Sequence, residues 1–169
     1  MTATLIITTF NWKEALELVL LSVKHQSLMP CEVIIADDGS RDDTRELIDR
    51  MVPEMPVPIR HLWHEDDGFR RSVILNKAIA QAKGEYCIQV DGDVILHPDF
   101  LRDHQSFAKK GTYCPGSRTM LKESLTRDVF QQKRTTFSSF EKGIKRPLNS
   151  LRLPWLTSLL YPDALRYDD

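Results

Sequence analysis

Apolar residues in the first 108 positions come in two alternating textures. Short blocks rich in β-branched residues at 3–8, 32–36, 59–63 and 86–90 predict buried strands. Between them the spacing lengthens to that of a helix. Trp12, Ala15, Leu16, Val19, Leu20 and Val23 mark one stripe, behind Asn11 as a candidate N-cap. A second helix is predicted over 41–51, capped by Ser40 with Asp43 three residues on. A third covers 70–83, its stripe made by Val73, Leu75, Ala78, Ile79 and Ala82, and Gly84 ends it. Pro98 opens a fourth over about 98–110, ended by Gly111. Strand and helix in strict turn predict an α/β fold, with right-handed crossovers and a mostly parallel sheet covered on both faces. Beyond 112 the pattern weakens. Residues 122–145 read as helical, polar and basic, and 147–162 resist assignment.

Composition narrows this little further. With 169 residues, 41% hydrophobic and 28% charged, the chain fits one globular domain with a real core. No apolar run reaches the ~18 residues of a transmembrane helix. The N-terminus lacks the basic region of a signal peptide and reads as a strand. Cys31, Cys87 and Cys114 are far apart and odd in number, which argues against a disulfide framework and for a cytoplasmic setting. Charge changes the picture more. Residues 1–108 carry a net −7, residues 109–152 a net +8 and residues 153–169 a net −2. Either the back segment meets an anionic partner, or its charges coat a solvated helical surface.

Three of the four predicted strands end in acidic turns: Asp37-Asp38-Gly39, Asp66-Asp67-Gly68 and Asp91-Gly92-Asp93. Any one of them is explained by ordinary Asp-Gly turn chemistry. All three together place carboxylates where open α/β sheets bind ligands, outside the carboxyl ends of the strands. Asp91 and Asp93, spaced Asp-x-Asp, suit a hard cation, Mn²⁺ or Mg²⁺, that keeps waters and takes further ligands from substrate phosphates. Gly92 between them permits a close backbone approach. No glycine-rich phosphate loop is present. Arg70 and Arg71 are therefore the candidate phosphate partners, with helix-surface charge as the plainer alternative. His64-Glu65 lacks a second histidine at zinc-protease spacing, and there is no Cys-x-x-Cys or Gly-x-Ser-x-Gly. His97 and His104 share a helical spacing, and His97 lies four residues after Asp93, within possible reach of a metal. The basic segment lacks regularly spaced aromatic platforms, so nucleic acid is not an expected partner.

Taken in order, Thr4-Leu-Ile-Ile-Thr-Thr-Phe-Asn11, Glu32-Val-Ile-Ile-Ala-Asp-Asp-Gly-Ser40, Asp66-Asp-Gly-Phe-Arg70 with Asn76-Lys-Ala-Ile79, and Gly84-Glu-Tyr-Cys-Ile-Gln-Val-Asp-Gly-Asp93 with Pro98 resemble the family 2 glycosyltransferases of the GT-A fold. The nearest branch holds the N-terminal transferase domain of bacterial chondroitin polymerases and related capsule and lipopolysaccharide sugar transferases. The resemblance implies a nucleotide-sugar-binding GT-A core over 1–120 and a basic, partly helical segment of the same domain over 121–169, the start of the acceptor side. It implies a UDP-sugar donor, held by Thr8, Thr9, Phe10, Asn11, Asp38, Gly39, Ser40, Arg70, Arg71, Asn76, Asp91 and Gly92. Phe10 would stack on the uracil and Asp38 would accept its imide N–H. Asp91 and Asp93 would hold the metal, Asp93 directly. The reaction would be metal-dependent, inverting transfer to a glycan or lipid-linked acceptor.

Two departures qualify these expectations. Thr8-Thr9 stands where the family often has a Pro–Thr/Ser pair, and Leu75 stands where it has an arginine, a role Arg71 can take over one helical turn away. The family's later Gly-Trp-Gly-x-Glu-Asp-like segment, which supplies the catalytic base, has no counterpart, and Trp155, Asp163, Asp168 and Asp169 do not match it. The chain is accordingly expected to be truncated on its C-terminal side, with its base unidentified. A non-catalytic nucleotide-sugar-binding module and, less aptly, a nucleotidyltransferase are the rival readings; the latter usually has a glycine-rich basic loop where Thr8–Trp12 stands. Positive charge over 109–160, with Leu151, Leu153, Trp155, Leu156, Leu159, Leu160 and Tyr161, suggests peripheral contact with the inner membrane face.

Overall fold

The computed structural model describes residues 1–153. Trp155–Tyr161 and the acids Asp163, Asp168 and Asp169 lie outside the described residues. Four parallel strands, β1 (Ala3–Thr9), β2 (Glu32–Asp37), β3 (Ile59–Trp63) and β4 (Tyr86–Asp91), form one sheet in the order β3-β2-β1-β4. All of β1 and β2 is buried, as expected of central strands sheltered on both faces. On one face, α1 (Lys13–Lys24) and α2 (Asp42–Met51) set Leu16, Val19, Leu20, Leu47 and Ile48 against Leu5, Ile7, Val33, Ile35 and Val90. On the other, α3 (Arg71–Gln81) sets Ile74 and Ala78 against Ile6, Ile34 and Ala36. Each fully buried Leu or Ile contributes about 1.5–3 kcal/mol.

The polar residues of the sheet are equally specific. The buried Glu32 carboxylate accepts the Thr4 hydroxyl at 3.0 Å, the Arg60 guanidinium at 3.1 Å and the Lys83 amide at 2.7 Å. One side chain thus ties β1, β2 and β3 to the turn that leads into β4. Burial pushes this carboxyl up, but those three donors outweigh it and hold Glu32 below the usual carboxylate range.

Several boundaries differ from the sequence reading. Helix α3 stops at Gln81, and Gly84 is needed for another reason: a Cβ there would lie 2.5 Å from the Thr4 amide nitrogen. Helix α4 spans only Phe100–Phe107, ending before Gly111. The long helix predicted over 122–145 is replaced by α5 (Glu123–Gln132), which Lys133 ends in the left-handed region at φ 50°. An irregular stretch follows, and then β6 (Ile144–Lys145) pairs antiparallel with β5 (Met120–Leu121). This back segment is anchored by Leu125 and Val129, which pack with Leu18 on the outer side of α1. Among the described residues no helix is long and apolar enough to cross a membrane.

Candidate functional site

Strand order reverses beside β1: β2 and β3 lie to one side of it and β4 to the other. That reversal opens a crevice at the carboxyl ends of β1 and β4. Thr8 and Asp91 face each other across it in register. The chain turns out of β1 at Thr9 and out of β4 at Gly92, so side chains at both strand ends look into one cleft of about 270 Å³. It is lined by Thr8, Thr9, Phe10, Trp12, Asp38, Phe69, Arg71, Asp91, Gly92 and Asp93.

The structure therefore brings together Thr8, Thr9, Phe10, Asp38, Arg71, Asp91, Gly92 and Asp93. Asn11, Gly39, Ser40, Arg70 and Asn76 stand outside the lining. Asn11 and Ser40 brace the two loops that frame the cleft. The Asn11 amide donates to Ser40 Oγ at 2.9 Å, and Asn11 Oδ1 accepts the Arg41 amide at 3.0 Å. Asn11 thus serves the start of α2 instead of its own helix, from a left-handed backbone (φ 48°) that Asn tolerates well. Ser40 is occupied by Asn11, and Asp43 pairs with Lys13 at 3.0 Å. Gly39, at φ 97°, passes under Asp66 so closely that a Cβ would meet the Asp66 Cα at 2.7 Å. Arg70 pairs with Asp67 at 2.9 Å, and Asn76 is exposed on α3.

Arg71 is the cleft's central cation. Its guanidinium donates to the Thr8 hydroxyl at 3.1 and 3.2 Å and to Asp91 Oδ1. The Thr8 hydroxyl donates to Asp91 Oδ1 at 3.2 Å, and Arg118 stands 3.8 Å from Asp91 Oδ2. Both Asp91 oxygens are thus engaged or approached. Asp93 is exposed and, among the described residues, has no hydrogen bond or ion pair. Gly92 is close to β1, not to open space: its amide donates to the Thr8 carbonyl at 2.7 Å, and a Cβ would lie 2.8 Å from that oxygen. His97 does not line the cleft, and its Nδ1 accepts the Asp99 amide at 3.1 Å. His104 packs on Phe100, and burial pushes it below the ordinary histidine range.

A divalent cation can be tested against this donor set. No group of three or more His, Cys, Asp or Glu among the described residues converges as a metal cage. What is present is one open hard carboxylate, Asp93, beside one arginine-bound carboxylate, Asp91. Two carboxylates of this kind suit Mg²⁺ or Mn²⁺ that completes its shell with water and phosphate oxygens. The residues fit a metal that arrives with an anionic ligand.

The part that two histidines and two aromatics play at this cleft was not read from the sequence. His61 Nε2 lies 2.9 Å from Asp37 Oδ2, and His64 Nε2 lies 2.8 Å from Asp38 Oδ1. The signal for them was the doubled carboxylate ending β2 next to histidines on a parallel neighbour. Phe69 is 88% exposed at the cleft rim, and Trp12 is half exposed, its ring centroid 6.1 Å from that of Phe130 on α5.

Comparison with known proteins supplies the context. A family model described as glycosyl transferase family 2 matches residues 4–163. A hyaluronan synthase of Pasteurella multocida is 32% identical over 101 residues, covering 59% of this chain and 10% of that protein. Among solved structures, the mannosyltransferase PcManGT from Pyrobaculum calidifontis, in complex with GDP-Man and Mn²⁺, aligns over 84% of this chain and 43% of its own at TM-score 0.55 and 23% identity. S. aureus TarS 1–349, in complex with UDP-GlcNAc, aligns over 69% and 38% at TM-score 0.50 and 24% identity. The chain thus spans a tenth of that curated relative and less than half of either structure.

Proposed function

The chain belongs to glycosyl transferase family 2, and from that premise we propose that its cleft binds the nucleotide-sugar donor of a metal-dependent, inverting sugar transfer. The observation that carries this reading is the convergence of Thr8, Arg71, Asp91 and Asp93 at the strand-order reversal, beside Asp38 and the exposed ring of Phe10. The relatives' bound ligands, UDP-GlcNAc and GDP-Man, support a nucleoside-diphosphate sugar. A carboxylate at Asp38 can accept the imide N–H of uracil, which favours UDP.

In this reading Phe10 offers its face to the base and Asp38 its carboxylate. Arg71 turns from Asp91 to the diphosphate oxygens, which match a guanidinium in charge and shape. The Thr8 hydroxyl keeps Asp91 oriented as Arg71 leaves. Asp93, with Asp91 beside it, would hold Mn²⁺ or Mg²⁺. When bound, the cation supplies positive charge to the departing diphosphate. Asn11, Gly39, Ser40 and Arg70 act one step back, by fixing the loops that carry Phe10, Asp38 and Arg71, and Asn76 is assigned to the helix that presents Arg71. The catalytic base that would activate the acceptor hydroxyl is not identified.

In this reading residues 1–120 form the donor-binding part and 121–169 belong to the acceptor side, for a glycan or lipid-linked acceptor in polysaccharide synthesis at the cytoplasmic face of a membrane. Support for the anionic or membrane partner comes from Lys109, Lys110, Lys122, Lys142, Lys145 and Arg146. All six are exposed and unpaired with carboxylates among the described residues.

The test is a thermal-shift panel of UDP, GDP and ADP with Mn²⁺. A ligand at about 100 times its Kd stabilises by roughly 2.7 kcal/mol, a readable shift for a domain of this size. UDP should raise Tm and ADP should not. A shift with GDP alone would reassign the base, and no shift with any of the three would remove the donor reading.

A further inference from the structure

Asp37 and Asp38 are consecutive, and each receives an imidazole, yet the two pairs face different ways. Asp37 is 1% exposed, does not line the cleft, and has its second oxygen 2.8 Å from the Ser40 amide. It closes the turn after β2 and joins that turn to His61 on β3. Asp38 lines the cleft while remaining 4% exposed. Its Oδ1 accepts from His64 Nε2 at 2.8 Å and its Oδ2 from the Arg70 amide at 3.1 Å. Both donors belong to the connection between β3 and α3. The carboxylate is gripped on both oxygens and has no rotamer freedom left, although each oxygen keeps a lone pair for a ligand.

His64 has its own anomaly. Its side chain is nine-tenths buried, and Nδ1 is buried with no hydrogen-bond partner among the described residues. An orphaned buried polar atom is costly, and an apolar residue of similar volume would avoid the cost. Among the described residues the ring's one polar contact is with Asp38. A merely space-filling residue at this place would not need that nitrogen.

We infer that His64 is a positioning residue for base recognition: through Nε2 it locks the Asp38 carboxylate in the orientation that reads the nucleobase, and so sets the selectivity of the cleft for uracil over adenine. This rests on the reading of Asp38 as the base-reading group. His64 does not touch the ligand. Its effect is confined to the base and leaves the diphosphate contacts of Arg71 and the Asp93 side untouched.

The experiment is calorimetric titration of UDP and ADP, both with Mn²⁺, into wild type, Asp38→Ala, His64→Leu, His64→Gln and the double variant Asp38→Ala/His64→Leu. The Gln amide nitrogen can occupy the place of Nε2, and Leu fills the volume without a donor. Loss of one hydrogen bond to a charged group corresponds to about a tenfold change in affinity. His64→Leu should therefore lower UDP affinity about tenfold with ADP unchanged, and His64→Gln should restore most of the loss. In the Asp38→Ala background, His64→Leu should add nothing, as expected for two residues acting as one unit. If His64→Leu leaves the UDP-to-ADP ratio intact while Asp38→Ala collapses it, His64 only holds the loop and the inference fails alone. An equal loss for both nucleotides also overturns it. If Asp38→Ala leaves the ratio intact, the underlying reading of Asp38 fails. Should the Leu variant not fold, the wild-type imidazole NMR signals of His64 decide: they must shift on adding UDP and stay still on adding ADP.

Discussion

Arg71 and Asp91 carry the site's electrostatics; the sequence pointed to both as ligand-binding candidates but not to their pairing with each other. Asp-x-Asp at a strand end was legible because hydrophobic periodicity located the strand end. That Arg71, and not its neighbour Arg70, enters the cleft depends on which of two adjacent positions α3 turns inward, and a helix start known only to within a residue or two cannot supply that. Arg71→Ala should leave fold and Tm nearly unchanged, since the pair is partly exposed. It should weaken UDP by about 1.5–3 kcal/mol, the worth of a hydrogen bond to a charged group, as calorimetry would report. Arg71→Lys should recover only part of this, because an ammonium cannot match two diphosphate oxygens at once. Asn11 is the opposite case: a good N-cap by type, used elsewhere. Its side chain caps the start of α2 across the loop, a pairing between residues 30 apart that no local rule predicts. Asn11→Ala should cost about 1–2 kcal/mol in chemical denaturation, from the lost cap and the strained left-handed backbone together.

At the scale of elements, the four strands and the first three helices were legible to within two residues, because buried strands and helical stripes leave strong periodic marks; in α3, however, the buried face is Ile74 and Ala78, and Val73 and Ile79 of the expected stripe are exposed. The back segment was not. Residues 133–143 lack an apolar stripe, and Lys133 and Gly143 both adopt positive φ, so the helix expected there breaks after Gln132. The pairing of His61 with Asp37 and of His64 with Asp38 was not legible, because it joins the neighbouring carboxyl ends of β2 and β3, and register is a tertiary fact. Glu32 shows what such lateral pairing is worth. A folded-state pKa held below the unfolded value adds stability that is complete above the unfolded pKa, near 4.3, and is lost as pH falls through the lower folded value. Unfolding free energy should therefore decline below about pH 4.3 in wild type and decline less in Glu32→Gln. The variant should itself be less stable at pH 7, by about 1–3 kcal/mol, because the Arg60 and Lys83 donors lose their charged acceptor. A pH dependence identical in both proteins would show that Glu32 does not contribute this linkage.

For the whole molecule, the acidic front and basic back separate into different places. Asp38, Asp91 and Asp93 of the acidic front meet at the sheet's carboxyl end, while the back segment packs on the outer side of α1 with exposed lysines around it. Trp12 joins the two, lining the cleft on one side and meeting Phe130 of α5 on the other. If the basic surface meets an anionic partner, binding to vesicles containing anionic lipid should be salt-sensitive, since each exposed Lys or Arg adds on the order of 1 kcal/mol near such a surface. Neutral vesicles should bind little, and sedimentation that is insensitive to salt would argue against this use of the charge. At the centre of the proposed function, the cleft would bind a nucleoside diphosphate through Asp93 and a divalent cation. Calorimetric titration of UDP into the wild-type chain with Mn²⁺, with EDTA, and into Asp93→Ala with Mn²⁺ tests it most directly. The account predicts that EDTA and Asp93→Ala each weaken UDP at least about tenfold and that EDTA adds nothing further in the variant. UDP affinity that is the same in all three, or absent from the wild type with Mn²⁺, would contradict it.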